Sequence, residues 1–162
     1  GLLNQPGVPT FAIGANGGNP TRAALIAMEK TAGAANGDAA ASASLGWVSS
    51  PEGRAKLRSV DGSTGNAGAW LWSDADRLLS RPAFATTSVP ANLTKGSGTN
   101  LTALAFGDWN DVVVNLPESI RVVVDPFSRS SSGDVRVVAF LDVRVVFRHL
   151  ASFVVCKDMA TA

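Results

Sequence analysis

The clearest signal in the chain is an alternation near its C-terminus. Val135, Val137, Ala139, Leu141, Val143, Val145 and Phe147 put only apolar groups on one face. Arg136, Val138, Phe140, Asp142, Arg144, Val146 and Arg148 occupy the other. A period of two carried by β-branched residues predicts a strand, not a helix. About 13 residues at ~3.3 Å each extend roughly 40 Å, against a usual strand of about 5–6 residues. A strand of that length reaches beyond a single compact core. The charged face of Arg136, Asp142, Arg144 and Arg148 has two readings. One is an inter-subunit surface whose alternating charges set register; the other is a solvated strand face. Val138, Phe140 and Val146 on the same face favour some burial.

Upstream the texture differs. Residues 1–20 are rich in turn chemistry (Pro6, Pro9, Pro20, Gly14, Gly17, Gly18), with one short strand near residues 11–13. Asn19-Pro20-Thr21 opens a helix, with Asn19 as cap and Pro20 in its first position. Leu25, Met28 and Ala32 recur at helical spacing, and Gly33 is a stop. Residues 44–48 read as a strand. Ser50-Pro51-Glu52 starts a second helix, because a hydroxyl cap, a proline and an acid all suit an N-terminus. Residues 59–68 are the longest stretch of pure loop chemistry. Trp70 and Trp72 follow at strand spacing, and residues 73–79 read as a short helical turn. From Pro82 onward strands dominate: 83–89, 101–106, 120–124, and a final one at 151–157. The pattern is that of an α+β domain.

Composition narrows the function. Hydrophobic residues are 46% of the 162 and charged residues 17%, enough for a sizeable core. Fourteen Lys and Arg face 13 Asp and Glu, a net charge of +1. The basic residues are scattered, so neutralising phosphates is not the main task. No apolar run is long enough for a membrane span, and the start lacks the features of a signal peptide. Cys156 is the only cysteine, which rules out an internal disulfide and a cysteine metal cage and fits synthesis in the cytosol. The chain does not begin with Met, so a processed product or a piece of a longer protein is expected.

No constellation of residues supports catalysis. His149 and Cys156 lie seven apart across a strand break with no group to orient the imidazole. Asp108 and Asp111 flank Trp109, and Asp74 and Asp76 form a second pair; both suit turns and caps better than acid–base work. The glycine-rich stretches at 14–18 and 95–98 match neither a dinucleotide fingerprint nor a P-loop. They read as flexible loops. Two glycosylation sequons, at Asn92 and Asn100, have no secretory context. No cofactor, metal or small-molecule substrate is expected.

The second half resembles the major capsid proteins of tailed phages, whose fold is named after phage Hong Kong 97. The resemblance is carried by Ser88-Val89-Pro90, Leu93-Thr94-Lys95-Gly96, Gly107-Asp108-Trp109-Asn110-Asp111, Val122-Val123-Val124-Asp125-Pro126-Phe127, Val135-Arg136-Val137-Val138-Ala139-Phe140, Asp142-Val143, Arg148-His149 and Ser152-Phe153. The opening, Gly1 through Val8, is similar to the entry into the family's axial domain. The resemblance implies an axial domain over residues 1–132, a long peripheral-domain strand over 133–149, and a strand returning to the axial domain over 150–162. It implies that the loop around Asp61, Gly62 and Asn66 faces the capsomer axis. The family's N-terminal arm, extended loop and spine helix have no counterpart in this sequence. The implied role is a structural, non-enzymatic subunit of a phage or prophage head, made in the bacterial cytoplasm and residing in the virion. Its partners would be copies of itself in pentamers and hexamers, with packaged DNA contacted only non-specifically. Alternatives are an encapsulin-like shell protein that holds cargo enzymes, or a small hydrolase or ligand-binding domain, which would need a pocket with convergent polar groups.

Overall fold

The computed structural model describes residues 1–35, 44–61, 70–116 and 119–161. Among the described residues two α-helices and twelve strands follow in chain order: β1 (Thr10–Phe11), α1 (Arg22–Ala34), β2 (Leu45–Ser49), α2 (Pro51–Ser59), β3 (Trp72–Ser73), β4 (Arg77–Leu78), β5 (Arg81–Ala85), β6 (Leu93–Lys95), β7 (Gly98–Asp108), β8 (Val112–Asn115), β9 (Arg121–Asp125), β10 (Arg136–Phe140), β11 (Arg144–Phe147) and β12 (Phe153–Ala160). The α+β expectation is met. The chain divides into two compact units, one formed by Gly1–Asp111 with His149–Ala162, the other by Val112–Arg148.

The first unit is built on a mixed sheet of order β1-β12-β7-β2-β5-β4-β3, with β6 paired to β7. β7 lies between β12 and β2 and is antiparallel to both, while β2 runs parallel to β5. Its residues from Leu101 to Asp108 are all buried, as a central strand covered on both faces requires. Leu25, Met28 and Ala32 of α1 and Leu57 of α2 join one apolar cluster with Trp47, Leu104, Phe106, Val154, Cys156 and Met159. The rings of Trp47 and Phe106 pack at 4.4 Å between centroids. α2 starts as its sequence dictates: the Ser50 hydroxyl accepts the Gly53 N–H at 3.0 Å, and Pro51 follows. α1 starts later than expected. Thr21, not Asn19, is its cap, its hydroxyl accepting the Ala24 N–H at 3.2 Å, so Pro20 stays outside the helix.

Residues 73–79 are not a helical turn. β3 and β4 form a hairpin, and the Asp76 carboxylate accepts the Trp72 indole N–H at 3.1 Å instead of capping a helix. The next turn joins Leu78 to Arg81 through Leu79 and Ser80, both at positive φ (48° and 64°). A two-residue hairpin of this hand asks for Gly or Asn. Leu79 is held there because its side chain packs on the core. The local signal was therefore misleading: burial of Leu79 overrides the turn preference.

The glycine-rich stretches are ordered as well. Lys95 pairs with Gly98 across a tight β6–β7 turn in which Gly96 takes φ +58°. Asn16, from the other stretch, accepts the Ser97 N–H at 3.2 Å through its side-chain oxygen. A β-carbon on Gly98 would collide with the backbone of Asn16, so glycine lets the two stretches touch.

The second unit corrects the longest prediction. Residues 134–148 form two strands separated by Leu141, Asp142 and Val143. β10 pairs with β9, placing Arg136 opposite Asp125 and Phe140 opposite Arg121. β11 pairs with β8, placing Arg144 opposite Asn115 and Phe147 opposite Val112. Five residues separate β8 from β9 but only three separate β10 from β11, so one register cannot run through both ladders. A strand's length is set by its partner, and alternation within one segment cannot reveal it. The compact unit that holds both ladders runs from Val112 to Arg148.

Candidate assembly surface

Within the second unit no described residue is buried, although it is rich in valine. Val114, Val122, Val124, Val137, Phe140 and Val145 are all exposed large apolar residues. They fall on both faces. Val137 and Val124 share one face of the β9–β10 ladder, while Phe140 shares the other with Val138, Arg136, Asp125 and Arg121. Among the described residues each of these ladders has two strands. Two-stranded ribbons are marginal in water without a third strand or a covering layer. Exposed apolar patches of this kind mark surfaces that other protein covers.

The four charged residues singled out from sequence all lie in this unit, but not along one strand. Arg136 is on β10 and Arg144 on β11. Asp142 lies in the break and lines a cleft of about 390 Å³ with Ser119, Arg121, Val123 and Phe140. Arg148 is exposed where the unit ends. The ladder register gives these charges cross-strand neighbours that sequence reading missed, Asp125 and Arg121. Of the expected axis loop, Asp61 is exposed and bridges to Trp70. Gly62 and Asn66 lie outside the described residues.

The connection between β9 and β10 is tied internally. The Asp125 carboxylate accepts the N–H groups of Phe127 at 2.9 Å and Ser128 at 3.1 Å. These bonds, the Phe127 N–H first, hold the Asp125 carboxyl below the usual carboxylate range. Gly133 closes the loop at φ +74°. Phe127 stands 82% exposed on it.

The other candidate groups have structural partners. Asp108 accepts the N–H of Ser44 at 2.8 Å and of Asn110 at 3.0 Å, a turn role. His149 meets Asp111 at 3.2 Å, and Asp74 pairs with Arg58 at 3.3 Å. The buried Cys156 thiol donates to Asp158 at 3.0 Å, and burial pushes its pKa to about 12, so little thiolate forms at neutral pH. A cleft of about 430 Å³ is lined by Arg22, Glu29, Trp70, Ser73 and Arg77. Burial raises the Glu29 carboxyl there, with Arg81 opposing. The Ser73 hydroxyl donates to the Arg77 carbonyl, and among the described residues no hydrogen bond pairs a nucleophile with a base in that cleft. No group of three or more His, Cys, Asp or Glu is placed to hold a metal among the described residues. No helix among them is long and apolar enough to cross a membrane.

Sequence reading missed the most connected polar group, Asp158, which is 2% exposed on β12. It accepts the Lys95 ammonium at 2.6 Å and the Ile13 N–H at 3.0 Å, and lies 3.4 Å from the Gly14 N–H. Lys95 also donates to the Gly14 carbonyl at 2.7 Å. The signal that could have found it is a lone acid inside the apolar run of β12.

Comparison with solved structures agrees with the fold. The chain aligns with the capsid of an empty GTA particle over 94% of its length, at 21% identity and TM-score 0.65, covering 49% of that chain. Against the chain from Mycobacterium phage Che8 the values are 98%, 13% and 0.65, with 55% of that chain covered. The holo-SrpI encapsulin complex from Synechococcus elongatus PCC 7942 aligns over the whole chain at 16% identity and TM-score 0.58, with 57% of its chain covered. The chain thus spans about half the length of these relatives. No curated protein sequence matches it. A sequence model of the phage capsid family matches residues 1–158. The α+β architecture, the mixed sheet and this match over nearly the whole length lead to one assignment: the chain belongs to the phage capsid family.

Proposed function

We propose that this chain is a structural subunit of an icosahedral phage or prophage head, assembling with copies of itself into pentamers and hexamers around DNA. The observation that carries the reading is the second unit, where none of the described residues is buried and both faces carry exposed large apolar side chains. In a shell such a surface is covered by neighbouring copies and by the rest of the polypeptide. Arg136, Asp142, Arg144 and Arg148 then act at subunit contacts, where alternating charge fixes register more than affinity. The first unit serves as the axial domain and the second as the peripheral domain. Asp61, Gly62 and Asn66 belong to the loop at the capsomer axis, where small polar residues tolerate close approach of several copies. Near-zero net charge limits repulsion between crowded subunits, and DNA is enclosed without base-specific contact.

Electron microscopy with light-scattering mass on the full-length protein tests this. Closed shells of many copies are the expected result. A small soluble oligomer, unchanged by concentration and salt, would contradict it. The encapsulin relatives make the contents informative: DNA inside supports a head, protein cargo an encapsulating compartment.

A further inference from the structure

We propose that the cleft between α1 and the β3–β4 hairpin binds a nucleotide, its base stacked on Trp70 and its phosphate held by Arg22 and Arg77. The inference stands apart from the shell-subunit reading, since every residue it uses lies in the first unit.

The cleft holds about 430 Å³, within the roughly 300–1,000 Å³ usual for small-molecule sites. α1 contributes Arg22, Ile26 and Glu29, and the hairpin side contributes Trp70, Ser73 and Arg77. Trp70 is 45% exposed. Its backbone is held on both sides: Asp61 bridges to it, the Leu71 N–H donates to the Val60 carbonyl at 3.1 Å, and the Leu71 and Trp72 side chains are buried. An indole fixed at half exposure in a cleft wall is a platform for a flat ring.

Charge selects the kind of ring. Arg22 and Arg77 line the cleft, and Arg81 is near enough to act on the Glu29 carboxyl. None of the three forms a salt bridge among the described residues. The Arg77 guanidinium donates to the Ser80 carbonyl at 2.8 Å, which fixes it and leaves further N–H groups for a ligand. Glu29 is the one acid among the lining residues. A neutral sugar or an apolar ligand leaves this cationic excess unmatched, and an ammonium group is repelled by it. A phosphate matches it, because guanidinium groups bind phosphate oxygens in pairs.

Glu29 meets the base. One of its oxygens is shut off from water and accepts no hydrogen bond among the described residues. A carboxyl turns about its last torsion at little cost, so that acceptor can be presented to a donor in the cleft. Base amino groups are such donors, and carboxylates accept from them.

Titration calorimetry on the full-length protein, kept as free subunits, tests the proposal. Deoxyadenosine monophosphate is expected to bind once per chain with a Kd of about 1 mM or tighter. Trp70→Ala should weaken it by about tenfold or more, and weaken deoxyadenosine equally. Arg22→Gln should weaken the monophosphate by about tenfold and leave deoxyadenosine unchanged. Melting stays the same in both variants, because both side chains are exposed. Equal binding of single-stranded oligodeoxyadenylate assigns the nucleotide to a strand, and binding of the monomer alone assigns a free nucleotide. No saturable binding up to about 10 mM, or wild-type binding by Trp70→Ala, would overturn the proposal. Inorganic phosphate or oligoglutamate binding as tightly as the monophosphate would overturn it too, since the site would then take an anion without a base.

Discussion

Replacing Asp158 with Ala is expected to lower stability by about 3 kcal/mol and the melting temperature by roughly 10 °C. The carboxylate is buried, and it holds the N-terminal segment to the sheet through Ile13 and Gly14 while pairing with Lys95. Its removal leaves those N–H groups without their acceptor and Lys95 without its anion. Lys95 is the better placed of the two to turn to water, its side chain being 37% exposed. The double variant with Lys95→Met should therefore lose less than the sum of the singles. Burial opposes ionisation of Asp158, but the Lys95 ammonium and the bonds from Cys156, Ile13 and Gly14 outweigh it and leave the pKa lowered. The folded state thus binds fewer protons than the unfolded one near the ordinary Asp pKa of 3.8. The contribution is complete well above that value and is lost as pH falls through the lower folded pKa. Denaturant titrations of wild type and Asp158→Asn between about pH 6 and 2 check this, the variant losing less on the acid side. A loss below about 1 kcal/mol in Asp158→Ala would contradict the central role of this carboxylate.

Gly107→Ala should cost about 3 kcal/mol, although it adds a single methyl group. Gly107 is the register partner of both Phe153 and Gly46. A β-carbon there would collide with the Phe153 ring and lie 2.7 Å from the Ser152 carbonyl oxygen. The ring cannot easily retreat: Phe153 is fully buried, and Trp109 packs edge-on against it at 5.6 Å. Trp109 is in turn fixed by its indole N–H on the Gly46 carbonyl at 3.1 Å. Equilibrium unfolding in denaturant measures the cost. In a Phe153→Leu background the same substitution should cost clearly less, because the obstructing ring is gone. A neutral Gly107→Ala would show that the neighbourhood yields more readily than its packing implies.

The second result explains one block of sequence that had stood only as a resemblance. In Gly107-Asp108-Trp109, the glycine makes room for Phe153, the acid ties the turn, and the indole covers the ring. These roles involve Phe153, Gly46 and Ser44, which are remote in sequence and not visible in the local pattern. Legible features were those with local causes: the Ser50-Pro51 helix start, the apolar stripe of α1, and the strands β2, β7 and β12. The failures have non-local causes. Leu79 is drawn into the core at the cost of its turn preference, and the glycine-rich stretches order each other. The long alternating segment divides because its partner strand is out of step. The candidate surface was legible in its charges and apolar faces, but not in its pairing. Asp125 opposite Arg136 and Arg121 opposite Phe140 required the register.

Hydrogen exchange on free subunits and on assembled full-length protein tests the central claim most directly, that copies in a shell cover the apolar ribbon. Amides of β9 and β10 should exchange at least about tenfold more slowly after assembly, while those of β7 and β12 stay as protected as before. Equal exchange of β9 and β10 in both states, with shells present, would contradict the account.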